Sequence, residues 1–292
     1  STKNKFCSQH QLLEKHSIKN LGAAMSNQEG LSKGDAANLS WRKLQPITDE
    51  SSGTDQSADH IEVTLRATGD IIRIKQDPLL AARLGQRALT GEAGSPTEKD
   101  SATGACLWET GVVMAQFLEE ECDDDDELFD SVLELGSGTG LLGCVLQRLR
   151  PSSSIICTDR EEILPLLQEN ISENNKVAEG EKRNVLAMPY IWGDSVQPIL
   201  DAFGRDYPTL VIAAGCIYDE ESVPSLINTL RFLLLDSAAK GLVAIDEKIY
   251  PTAFRLFSKR LPGAGLSLNE IDIEHLNAKE SIKLYWVEME DY

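Results

Sequence analysis

From Leu133 to Gly143 the chain reads Leu-Glu-Leu-Gly-Ser-Gly-Thr-Gly-Leu-Leu-Gly, a buried-strand pattern that becomes a helix pattern across alternating glycines. Glycine there lets backbone N–H groups approach a ligand that a Cβ would block, and the helix that follows turns its unpaired N–H groups to the same spot. Such a loop belongs at the carboxyl edge of a sheet in an α/β fold. The neighbouring pattern agrees. Strand and helix patterns alternate from 132–135 and a helix to Leu149, through 155–158 and a helix from Glu161 to Asn174, then 185–191. They continue with 209–214 and a helix to Leu235, then 242–245 and a helix to Leu261. That succession predicts a mostly parallel sheet, and the segments 266–273 and 282–289, with no helix pattern between them, predict a closing antiparallel hairpin.

Upstream, Ile61, Val63 and Leu65, then Ile72 and Ile74, alternate about a turn at 67–70 and predict a small β-hairpin. Pro78 to Leu89 reads as a short helix, 91–104 as a loop, and 107–118 as a helix opened by Leu107 and Trp108. The acidic run Glu119–Glu127 reads as a solvated loop in preference to a docking site for a basic partner. Residues 1–58 are polar and read as a disordered tail, 59–105 as hairpin and linker, and 106–292 as the main domain.

At 292 residues with 41% hydrophobic content the chain can bury a sizeable core. Lys+Arg 28 against Asp+Glu 47 gives a net charge of -19. That charge disfavours direct binding to nucleic acid or anionic membranes and suits a basic protein partner. No apolar run has the roughly 18–20 residues of a membrane span, and the start carries no apolar signal segment. Six cysteines without a CxxC pair read as reduced thiols of a cytoplasmic or nuclear protein, and four scattered histidines give no metal constellation.

Asp159 follows Gly136 by 23 residues, at the end of the next strand, where a carboxylate can accept both hydroxyls of a ribose. Gly138 to Gly143 also matches the dinucleotide pattern G-x-G-x-x-G, which points to a nicotinamide cofactor. Register decides against it. A dinucleotide loop begins at the glycine directly after the strand, here Gly136, and the match starts two residues late. S-adenosylmethionine, whose methionine end carries an ammonium and a carboxylate, suits a loop of N–H groups and carbonyls beside Glu134.

At these residues the chain resembles the seven-strand methyltransferases, and more narrowly methyltransferase family 16, the methyltransferase-like protein-lysine methyltransferases. The resemblance rests on Leu107-Trp108, LELGSGTGLLG at 133–143, TDR at 158–160, NISENN at 170–175, Trp192-Gly193 and AAGCIYDEE at 213–221, with IIRIKQD at 71–77 matching the family's N-terminal hairpin. It implies a Rossmann-like seven-strand sheet and methylation of a lysine side chain in a protein substrate. It further implies that Gly136, Ser137 and Gly138 line the methionine moiety, Asp159 holds the ribose, Trp192 flanks the adenine, and Trp108 and Ala214 complete the pocket. On chemistry alone each tryptophan fits core packing as well as a pocket wall.

The chain departs from the family at the acceptor site. The family's acidic residue, two variable positions and an aromatic correspond here to Gly215, Cys216, Ile217 and Tyr218, so the carboxylate is missing. Asp219, Glu220, Glu221, Asp246 and Glu247 are candidate substitutes, though each also suits a helix cap or a solvated charge. Tyr218 is the candidate catalytic residue, with core packing an equal reading, and Cys216 has no histidine near it in sequence to make it a nucleophile. The alternative expectation is a weak or inactive methyltransferase fold serving as an interaction module.

Overall fold

The computed structural model describes residues 42–43, 58–66, 68–80, 103–122, 127–175, 184–204, 206–234, 239–276 and 278–290. All of these except Arg42 belong to one compact unit, Lys43–Tyr292. Of the segment read as a tail, Arg42–Lys43 is a two-residue strand (β1) and Ala58 is described. The rest of that segment, most of the helix expected at 78–89, and Asp123–Asp126 lie outside the described residues.

The main sheet has the strands β4 (Ser131–Leu135), β5 (Ser154–Asp159), β6 (Val185–Pro189), β7 (Leu210–Ala214), β8 (Lys240–Asp246), β9 (Leu266–Ile271) and β10 (Ile282–Met289). Their order is β6-β5-β4-β7-β8-β10-β9. The first five are parallel, and β10 lies antiparallel between β8 and β9. Central strands buried on both faces read as continuous apolar runs, yet a period of two persists beneath. Val132, Leu210, Ile212, Leu242 and Ala244 join one core, while Leu133, Leu135, Val211, Ala213 and Val243 join the other.

The helices are α1 (Glu109–Glu121), α2 (Leu141–Leu149), α3 (Leu164–Asn174), α4 (Gln197–Ala202), α5 (Val223–Leu234) and α6 (Pro251–Arg260). The first core draws on α1 to α3, the second on α4 to α6, so the sheet is sandwiched between helical layers. Three details differ from the sequence reading. The helix expected from Glu161 starts at Leu164, after a turn. The six-residue α4, which buries Ile199 and Leu200, is too short to show a period. Glu119 to Glu121 are the last turn of α1 rather than loop, and His275 Nε2 sits 2.8 Å from Glu120 Oε2.

The strands β2 (His60–Thr64) and β3 (Ile71–Lys75) pair antiparallel as a hairpin. The outer edge of β3 is closed by side chains of α3. Asn174 Oδ1 accepts from Arg73 N (2.8 Å) and its Nδ2 donates to Arg73 O (2.6 Å), while Asn170 does the same for Lys75 (2.8 and 2.9 Å). Four residues of helix advance about 6 Å and two residues of strand about 6.6 Å, so amides spaced i, i+4 match alternate strand residues.

Candidate active site

The strand order reverses between β4 and β7, where open α/β sheets form a crevice at their carboxyl ends. A cavity of about 280 Å³ lies there. Its lining includes every residue expected to hold the cofactor, Trp108, Glu134, Gly136, Ser137, Gly138, Asp159, Trp192 and Ala214, together with the candidate catalytic Tyr218. It also includes Gly104, Cys106 and Leu107, Tyr190, and Ser225 of α5. Of these only Leu107 stood in a sequence motif; Gly104, Cys106 and Tyr190 lie in segments without a periodic signal, and Ser225 is one polar position on α5.

The loop after β4 requires its glycines. At Gly136 (φ 66°) a Cβ would stand 2.7 Å from Cys216 Sγ, and at Gly138 (φ 53°) one would stand 2.9 Å from Gly104 O. Ser137 N donates to Thr158 O (2.9 Å) and Gly138 N to Asp159 Oδ2 (2.7 Å), tying the loop to the end of β5. Asp159 Oδ1 accepts from Arg160 N at 2.7 Å. Each carboxylate oxygen accepts about two hydrogen bonds, so both keep capacity toward the cavity. Burial raises the Asp159 carboxyl above its ordinary value, and the Gly138 and Arg160 N–H groups pull it back.

Glu134, 3% exposed, reaches the cavity from the end of β4. Burial pushes its carboxyl up to about 7, against hydrogen bonds from Ser137 and Cys157. Its Oε2 is buried with no hydrogen-bond partner among the described residues. A buried acceptor left so costs about 1–3 kcal/mol, more when charged, and the site therefore favours a donor there.

At the other end lies Gly215, with φ 68° and its N–H bonded to Ala244 O at 2.9 Å. A Cβ on residue 215 would stand 2.9 Å from Thr110 Oγ1. The hydroxyl of Thr110 is itself buried and unpartnered among the described residues. The glycine at 215 thus goes with a left-handed backbone and with the Thr110 hydroxyl close to where a Cβ would stand. Tyr218 packs near Trp192 and Tyr250, with ring centroids at 6.5 and 6.4 Å, and burial pushes its phenol up to about 12. Cys216 Sγ donates to Leu135 O at 3.0 Å, and burial holds its thiol well above the ordinary value.

The candidate substitutes divide. Asp219 and Glu221 line the cavity, with Asp219 also accepting from Glu221 N and Ser222 N at 3.0 Å. Glu220, Asp246 and Glu247 do not line it. Asp246 Oδ1 accepts from Lys248 N (3.1 Å) and Ile249 N (3.2 Å), and Glu247 accepts from the Tyr285 hydroxyl.

The family model described as lysine methyltransferase matches residues 96–255, just over half of the chain. This chain belongs to the lysine methyltransferase family. Within the family's curated members, it is similar to Protein N-lysine methyltransferase METTL21A of Danio rerio, 33% identical over 135 residues (46% of this chain, 57% of the relative). It is also similar to Protein-lysine N-methyltransferase EFM6 of Saccharomyces cerevisiae, 31% identical over 148 residues (45% and 58%). The human Protein-lysine N-methyltransferase EEF2KMT is 29% identical over 194 residues (61% and 58%). The chain spans somewhat more than half the length of these methyltransferases.

Proposed function

We propose that the protein is an S-adenosylmethionine-dependent protein-lysine N-methyltransferase. The observation that carries this reading is the pairing, in one cavity, of the unpartnered Glu134 Oε2 with the Asp159 carboxylate across the glycine loop. The residues fit the cofactor's parts: Glu134 for an ammonium, Asp159 for vicinal hydroxyls, Trp192 for a flat base, and the loop at Gly136 to Gly138 for the methionine backbone. Trp108 and Ala214 complete the wall.

When bound, S-adenosylmethionine supplies a sulfonium-activated methyl group that passes directly to a nucleophile. The chain's own residues align and desolvate the acceptor. A free lysine has a pKa of about 10.4 and must arrive neutral. Asp219 and Glu221 draw the ammonium to the cavity, desolvation beyond them favours the neutral amine, and the proton leaves to water. Tyr218, protonated at neutral pH, accepts a hydrogen bond from the amine rather than removing its proton. The net charge of -19 favours a basic substrate surface and repels nucleic acid and anionic membranes. The buried thiols Cys144, Cys157 and Cys216 suit a reducing cytoplasmic or nuclear setting.

The test is transfer of labelled methyl from S-adenosylmethionine to basic protein acceptors, followed by amino-acid analysis. Label on the lysine side-chain nitrogen, lost with Asp159→Ala, supports the reading. Label on another residue, or none, overturns it.

A further inference from the structure

The strand β3 touches both walls of the cavity through two buried amides. On one side Asn170, fully buried, donates from Nδ2 to Lys75 O (2.9 Å) and to Thr139 O of the glycine loop (2.8 Å). On the other side Gln76, which follows β3 and is 2% exposed, accepts from Leu107 N at 2.6 Å and donates to Ala58 O at 2.6 Å. Asp77 N adds a bond to Ala105 O at 2.9 Å. The segment Thr103–Trp108 so held lies over the loop, with Gly104 close against Gly138.

We infer that Gln76 and Asn170 are positioning residues for the cofactor: the hairpin is a brace that fixes the gap between the glycine loop and the Gly104–Trp108 wall. This rests on the cofactor reading above. Neither residue lines the cavity. They act through Leu107 N and Thr139 O, on groups that do or that adjoin it. A brace removed lets the walls drift by fractions of an ångström, which a preorganised site registers as lost affinity. Asn174 supplies the internal comparison, because its amide bonds Arg73 and Asn170 O but does not reach the loop.

The experiment is calorimetric titration of S-adenosylhomocysteine into the full chain and the variants Gln76→Met, Asn170→Ala and Asn174→Ala. The brace predicts that Gln76→Met and Asn170→Ala raise Kd at least tenfold at unchanged stoichiometry, while Asn174→Ala stays within about twofold. A purely structural role predicts a reduced binding-competent fraction with unchanged Kd, which overturns the inference. Should Asn170→Ala not fold, Gln76→Met decides alone, since it acts on the opposite wall. No binding by the wild-type chain overturns the cofactor reading and the brace together, whereas tight wild-type binding with unchanged variants overturns the brace alone.

Discussion

Gly138 N–H donates to Asp159 Oδ2 at 2.7 Å, so the carboxylate facing the cavity is also the strut that ties the glycine loop to the end of β5. Replacing Asp159 with alanine removes that bond and the one to Arg160 N. Hydrogen bonds to charged groups contribute about 1.5–3 kcal/mol each, offset here by the cost of burying the charge. The expected result is modest destabilisation, about 1–2 kcal/mol in urea unfolding, with faster amide exchange at 137–140. Unchanged exchange there would deny the strut its role.

Glu134 gives stability a pH dependence of definite sign. Its folded pKa, about 7, stands above the ordinary 4.5, so between these values the folded state binds more protons than the unfolded. Stability then falls as pH rises through this window and levels off above it, by on the order of 3 kcal/mol for this group. Glu134→Gln should flatten that slope, read from urea midpoints between pH 4.5 and 8 on both proteins. Affinity for a ligand bearing an ammonium should rise through pH 7 in the wild type and stay level in the variant. Parallel profiles for the two would place the titrating group elsewhere.

Placing at 215 the acidic residue that the resemblance implies, by Gly215→Asp alone, should fail to raise activity. A side chain at φ 68° is strained, and its Cβ would press on Thr110 Oγ1. The cost is about 1–3 kcal/mol in thermal or urea unfolding. Thr110→Ala removes the obstructing oxygen and should recover part of the loss in the double variant. A Gly215→Asp single variant as stable as wild type would refute this coupling.

Tyr218→Phe keeps the ring between Trp192 and Tyr250 and removes only the hydroxyl. Cofactor affinity should remain within about threefold while methyl transfer falls about tenfold or more. With the phenol up at about 12, the wild-type pH–rate profile should show no Tyr218 ionisation below pH 10. Equal rates for the two proteins would return Tyr218 to the role of packing.

What was legible in the sequence follows physical reach. Strong periods over apolar runs marked β4, β7 and β8 and the helices beside them, because burial on both faces leaves a plain signal. The glycine loop and Asp159 were legible because turn chemistry and spacing are local. Gly215 was legible as a departure from the pattern of the family it resembles, whereas its left-handed backbone and the Thr110 hydroxyl that would meet a Cβ there, 105 positions earlier in the chain, arise only when α1 packs against β7. The same holds for Asn170. Its motif stood out, but an amide shared by a hairpin and a loop is a product of tertiary packing.

The most direct test of the account is calorimetric titration of the wild-type chain with S-adenosylmethionine, S-adenosylhomocysteine and NAD. The account predicts micromolar binding of the first two at one site per chain, weakened at least a hundredfold by Asp159→Ala, and no binding of NAD. Absence of binding by either sulfur compound, or a preference for NAD, would contradict it.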